Sequence, residues 1–253
     1  MTKTLSSSLK RGKNCFYPKS FYLVSAEDFS NEVRVVDSVL LQQLAKKSIS
    51  KAELLAKVEA DFYLLPQLVE GVSSRKANVR YGCSGVLAEL TAKHPEKLYA
   101  HMEEFIALLD SKHRILVWNA MAAIANLCCV DTKKKFDAIF DKYYGFLKDE
   151  YLVTVANAVA NSSKIALAKP YLIPKITEAI LSVENISTTP HLTEECKRVV
   201  AGKAVGCFAQ FYGKMCVEEK AKVMAFMKRH CGSPRKSLKA SAERFLSGQP
   251  TKS

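Results

Sequence analysis

The chain has 253 residues, 48% apolar and 25% charged, with only ten glycines and eight prolines. This profile fits a globular chain with an ample core and few tight turns, which favours helices joined by short connections. The formal net charge of +13 sits at the ends: residues 1–20 hold five basic and no acidic residues, 214–253 hold ten basic and three acidic, and the span between is nearly neutral.

In chain order, the basic start leads into no apolar h-region or small-residue cleavage site, so no secretory signal is expected. Residues 33–47 and 50–58 read as one degenerate helix pair. From about Asp61 helix pairs recur. Tyr63-Leu64-Leu65-Pro66 returns as Tyr171-Leu172-Ile173-Pro174, 108 residues or three steps of 36 later. Leu65, Leu68, Val69 and Val72 form an i, i+3, i+4, i+7 stripe. It repeats as Met102, Phe105, Ile106 and Leu109 at an offset of 37, and as Phe140, Tyr143, Tyr144 and Leu147 at a further 38. Such a stripe occupies one helix face and must be buried. Second helices align too: Val79–Leu90 matches Leu116–Leu127 at 37, Ala201–Phe211 fits the same frame at 121, and Leu152–Ser162 follows the second copy by about 35. The expected pairs lie near 61–72 and 77–93, 96–110 and 113–129, 132–147 and 150–167, 170–183 and 192–213, and 217–230 and 235–247. A longer loop, Glu184 to His191, interrupts the fourth pair. Small residues, Gly85, Ala122 and Gly206, share one column, as closely approaching helices require.

Leu64-Leu65-Pro66-x-Leu68-Val69-x-Gly71 on a first helix, then Asn78-Val79-Arg80 opening a second helix that holds Ala88-x-Leu90, resembles the HEAT/armadillo class of α-solenoids. Copies two and three depart from it with Leu116-Val117 and Leu152-Val153. The resemblance covers roughly residues 60–213. It implies an all-α fold, a right-handed α-solenoid of antiparallel helix pairs with a period of about 37. Residues 1–30 are then expected to be a basic, partly disordered segment, 31–247 a single HEAT-like solenoid domain and 248–253 a tail.

Eight cysteines occur, none at CxxC spacing. Most lie in apolar helical runs and read as small buried residues of a reducing compartment. The uncharged run from Ile115 to Val130 is too short for a membrane span and carries Asn119 and Asn126. No phosphate loop, GxGxxG, HExxH or GxSxG motif occurs, and SxxK matches such as Ser7/Lys10 are expected by chance in a Ser- and Lys-rich chain. His191, Glu194, Glu195 and Cys196 lack a convincing zinc complement and read as a loop and an acidic first helical turn. No catalytic, cofactor, metal or small-molecule site is expected.

In a HEAT-like stack the second helices line the concave face, and equivalent positions form ladders. One column reads Glu89, Asn126, Asn161 and Gln210, with Asn157 a turn earlier. Asparagine is a poor helix former, so these residues need a reason. Carboxamides both donate and accept, which suits the backbone of an extended peptide. Armadillo proteins use such a ladder, though the Trp-x-x-x-Asn spacing is not reproduced, since Ala122 follows Trp118. The other reading is hydrogen bonding between layers. Trp118 is either a core anchor or a surface contact. The expected role is a non-enzymatic scaffold binding a protein or peptide segment, in the cytoplasm or a nucleus. The alternative is nucleic-acid binding through a basic patch of Lys228, Arg229, Arg235 and Lys236. Activity like that of HEAT-like DNA glycosylases comes third. No membrane partner is expected.

Overall fold

The computed structural model describes residues 39–248. The expected segment 1–30, the start of the expected domain and the tail beyond 248 lie outside the described residues, as does Cys15. Among the described residues every regular element is helical, and a lone β-bridge joins Thr189 to Leu192.

A helical stretch at residues 39–45 (α1) precedes Lys51–Ala60 (α2), which Ser50 and Glu53 open with a reciprocal capping box. Five layers follow. The first sets Leu65–Gly71 (α3) against Ala77–Lys93 (α4). The second sets Pro95–Leu98 (α5) and Met102–Leu108 (α6) against Arg114–Leu127 (α7). In the third, Lys135–Ala138 (α8) and Phe140–Gly145 (α9) precede Leu152–Ala168 (α10). The fourth pairs Ile173–Leu181 (α11) with Glu194–Phe211 (α12), and the fifth Val217–His230 (α13) with Lys236–Ser247 (α14). Helices α2, α4, α7, α10, α12 and α14 pack side by side in that order. The architecture is thus an α-solenoid in which each layer touches its neighbours.

The first helices of layers one to four are broken where the sequence predicts single helices, whereas α13, Val217–His230, is the single helix expected near 217–230. A 3-10 turn, Tyr99–His101, separates α5 from α6, and Phe62–Leu64 and Pro170–Leu172 form 3-10 turns before α3 and α11. Pro66 and Pro174 sit in the first turns of those helices, where a missing N–H leaves nothing unsatisfied. The stripes give no sign of these breaks because they begin at Leu65 and Met102, just after the 3-10 turns.

Burial fixes the alignment of the second helices. Val79, Leu116, Thr154, Val200 and Leu238 are equivalent and buried, as are Val86, Ala123, Asn161, Cys207 and Phe245; the steps are 37, 38, 46 and 38 residues. The long step holds the loop around Pro190. Local turn chemistry repeats as well. Ser74, Ser111, Asp149 and Ser233 each accept, through a side-chain oxygen, the backbone N–H two residues on, turning the chain into α4, α7, α10 and α14.

A buried ionic hub ties layers two to four together. Lys169 Nζ lies 3.0 Å from Asp131 Oδ2 and 3.1 Å from Asp137 Oδ1. Asp131 also accepts from the Tyr99 hydroxyl at 2.8 Å and from the Lys135 and Phe136 backbone N–H groups, both at 2.9 Å. The Tyr171 hydroxyl donates to Asp137. Burial alone would raise the Asp131 pKa, yet the two backbone N–H groups, Tyr99 and Lys169 hold it below the usual carboxylate range. Burial likewise disfavours charged Lys169, but its hydrogen bonds to Asp131, Asp137 and Tyr171 raise it above the usual lysine range.

Candidate interaction face

The second helices present one side to the core and one side outward. The burial alignment sets the outward residues in rows across the layers. Gly85, Ala122, Ala160, Gly206 and Arg244 form one. On one side lies the row of Gly82, Asn119, Asn157, Lys203 and Ser241; on the other lies that of Glu89, Asn126, Lys164 and Gln210. All are at least partly exposed. A Cβ placed on Gly206 would meet nothing within 4 Å, so the face is open there, whereas at Gly82 it would lie 2.9 Å from Leu44 Cδ2 and at Gly85 3.3 Å from Lys51 Cε, so the α4 end is covered by the preceding helices. Ile115 and Val153, equivalent to Asn78 and Val199, are large apolar residues left 39% and 44% exposed along one edge.

Hydrogen bonds confirm this alignment at the carboxamides. Asn126 Nδ2 donates to Ala88 O at 3.3 Å and Thr91 Oγ1 at 3.1 Å on α4. Its Oδ1 accepts from Lys164 Nζ on α10 at 2.6 Å. Asn119 Nδ2 donates to Ser84 Oγ at 2.8 Å. These asparagines bridge layers. Asn157 and Gln210 donate within their own helices, to Val153 O and Gly206 O. Glu89 pairs with Lys51. Asn161 is not brought to the face: it is buried and donates to Asn157 O on its own helix, while Lys164 stands at the place beside Asn126.

Trp118 is half-buried and spans two layers, its Nε1 donating to Thr154 Oγ1 at 3.1 Å. Beside it Arg114 pairs with Asp149 at 3.1 Å and lies 3.6 Å above the Tyr151 ring, which in turn stacks on His191. Arg114, Tyr151 and His191 belong to three successive layers, and the stack could not be read from sequence separation alone.

The basic residues near the C-terminal end do not form a bare patch. Arg229 grips Glu184 with Nε at 3.0 Å and Nη2 at 2.6 Å. Arg235 pairs with Glu195, whose carboxyl is held below its usual range by hydrogen bonds from Arg235 and Arg198. Lys228 and Lys236 are exposed and have no carboxylate partner among the described residues.

Seven cysteines lie among the described residues and all are free. Burial raises the Cys83 and Cys207 thiols, each to about 12, so neither ionises near neutral pH. Among the described residues no group of three or more His, Cys, Asp or Glu could hold a metal, and no helix is long and apolar enough to cross a membrane.

No protein-family model matches the chain, and no curated protein matches it. Solved structures do. Computationally designed armadillo repeat proteins for modular peptide recognition align over 88% of this chain and 94% of theirs, at 19% identity and a TM-score of 0.57. A designed armadillo repeat protein in complex with the peptide (KR)4 aligns over the same shares at 15% identity and a TM-score of 0.56. At such identities the likeness establishes the fold: an armadillo/HEAT-like repeat architecture.

Proposed function

We propose that this chain is a non-enzymatic interaction module that takes up an extended segment of a partner protein along the second-helix face. The observation that carries the reading is the row Ala122, Ala160 and Gly206. Small side chains run through the middle of an open face, flanked by carboxamides and by an apolar edge. An extended chain laid there would find donors and acceptors for its backbone in Asn157 and Gln210, and apolar surface in Ile115 and Val153. The peptide recognition named for the similar designed proteins supports the same reading. Nucleic-acid binding through the C-terminal cations is less well supported, because Arg229 and Arg235 are already neutralised by Glu184 and Glu195.

A display library of random peptides selected on the full chain tests this. Peptides should be enriched, and Ala160→Trp, which fills the row at an exposed position, should weaken them about tenfold or more without altering the fold. Enrichment of nothing above background, or undiminished affinity in the variant, would remove the reading.

A further inference from the structure

Charges along the second-helix face are one-sided. Helices α7 and α10 contain no Asp or Glu at all. The carboxylates of α12, Glu194 and Glu195, lie in its first turn and are held by Lys197, Arg198 and Arg235. Glu243 of α14 lies 3.9 Å from Lys239, and Glu89 of α4 is paired with Lys51. Against these, Lys164, Lys203 and Arg244 are exposed and reach no carboxylate among the described residues. The burial alignment sets all three in the rows described above: Lys203 with Asn119 and Asn157, Arg244 with Ala122 and Ala160, and Lys164 with Asn126 and Gln210. They are spread over three successive layers, one each on α10, α12 and α14. The apolar edge of Ile115, Val153 and half-buried Val199 runs alongside.

We infer that the occupant of this face is an acidic peptide segment, with carboxylate side chains interspersed among aliphatic ones. The inference rests on the segment-binding reading and names its partner class. Three cations with no neighbouring free acid create a positive field that draws carboxylates and repels cations. A cationic peptide, such as the (KR)4 bound by one of the similar designed proteins, would meet like charge here. Nucleic acid shares the negative charge but not the rest of the fit. Single strands are held by aromatic platforms, whereas Trp118 is half-buried with its N–H committed to Thr154. The edge that runs beside the cations is aliphatic, which suits Val, Ile or Leu side chains of a peptide.

The net charge of the peptides enriched by display on the full chain is the readout. Enriched sequences should carry more Asp and Glu than Lys and Arg, and their affinity should fall as salt rises. The triple variant Lys164→Glu, Lys203→Glu, Arg244→Glu should weaken them about tenfold or more. The neutral counterpart, with Gln at the same three positions, should have a smaller effect in the same direction. Lys203 and Arg244 are exposed, so the double variants at those two positions should melt unchanged by circular dichroism and still lose affinity, whereas exchange of Lys164, which donates to Asn126 Oδ1, should lower the melting temperature slightly; affinities are compared well below both transitions. Enriched peptides that are basic or uncharged overturn this inference and leave the segment-binding reading standing. So does an unaltered affinity in the two variants. Failure to enrich any peptide overturns both. An oligothymidylate that displaces the selected peptides and binds more tightly than they do, with log affinity linear in log salt, assigns the face to nucleic acid and overturns the acidic peptide.

Discussion

Asn126 donates to the layer before it, at Ala88 and Thr91, and accepts from Lys164 in the layer after it. Asn157 bonds only within its own helix. Asn126→Ala should therefore cost about 1 kcal/mol in a urea melt, because it removes the bonds that tie α7 to α4 and to Lys164 on α10, while Thr91 keeps its own bond to Ala88 O. Asn157→Ala should stay within about 0.5 kcal/mol. Lys169→Met is the severest single change expected: it strands the fully buried Asp131 carboxylate, at about 3–5 kcal/mol. The hub also sets the pH limits. Asp131 has a depressed folded pKa, so its contribution is present above the unfolded value of about 3.9 and fades as pH falls through the folded one. Lys169 has a raised folded pKa, so its contribution is present below the unfolded value of about 10.4 and fades as pH rises through the folded one. Stability against urea should thus drop on acidification below about pH 4 and on alkalinisation above about pH 10, and Lys169→Met should lose the alkaline limb. Residue type is a poor guide to which side chains face outward. The polar residue Asn161 occupies a buried position equivalent to Ala123 and Cys207, where a carboxamide bonded to its own helix is tolerated. The cation Lys164 holds the outward place.

Second helices are legible as elements because each carries one uninterrupted apolar stripe. The breaks in the first helices are not, since the apolar stripes begin only after the 3-10 turns. Two features of the helix ends carry predictions. Gly71 closes α3, and a Cβ there would lie 2.5 Å from Cys83 Sγ and 3.0 Å from Leu41 Cδ2. Gly→Ala in a helix ordinarily gains up to about 1 kcal/mol, but here overpacking costs about 1–3 kcal/mol and decides the sign. Gly71→Ala should lower the melting temperature, and Gly71→Ala combined with Cys83→Ala should recover part of the loss; a stabilised single variant contradicts the close packing. Ser111→Ala and Ser233→Ala each remove the side chain that turns the chain into a second helix, at about 0.5–1 kcal/mol apiece in chemical denaturation. This recurring Ser or Asp is visible in the sequence, and aligning on it sets the third layer at its step of 38 rather than about 35.

Stacked layers that contact only their neighbours should unfold as coupled units rather than uniformly. Native-state hydrogen exchange should find α7 and α10, which are flanked on both sides and joined by the Asn126 bonds, and α12, which is flanked on both sides, exchanging only through global opening. The layer of α13 and α14 should open at lower free energy. Equal protection throughout would contradict that picture. That the chain is helical, that its helices pair and repeat, and where most second helices begin and end are all readable from the residues in order. Those properties depend on local periodicity, on proline position and on apolar spacing, which a chain carries in one dimension. Which outward residues share a row becomes known only once the helices are packed. Each layer has its own length, so a row is fixed by which side chains the neighbouring helix buries, and one misjudged step moves a buried asparagine onto the surface and hides a lysine that belongs there.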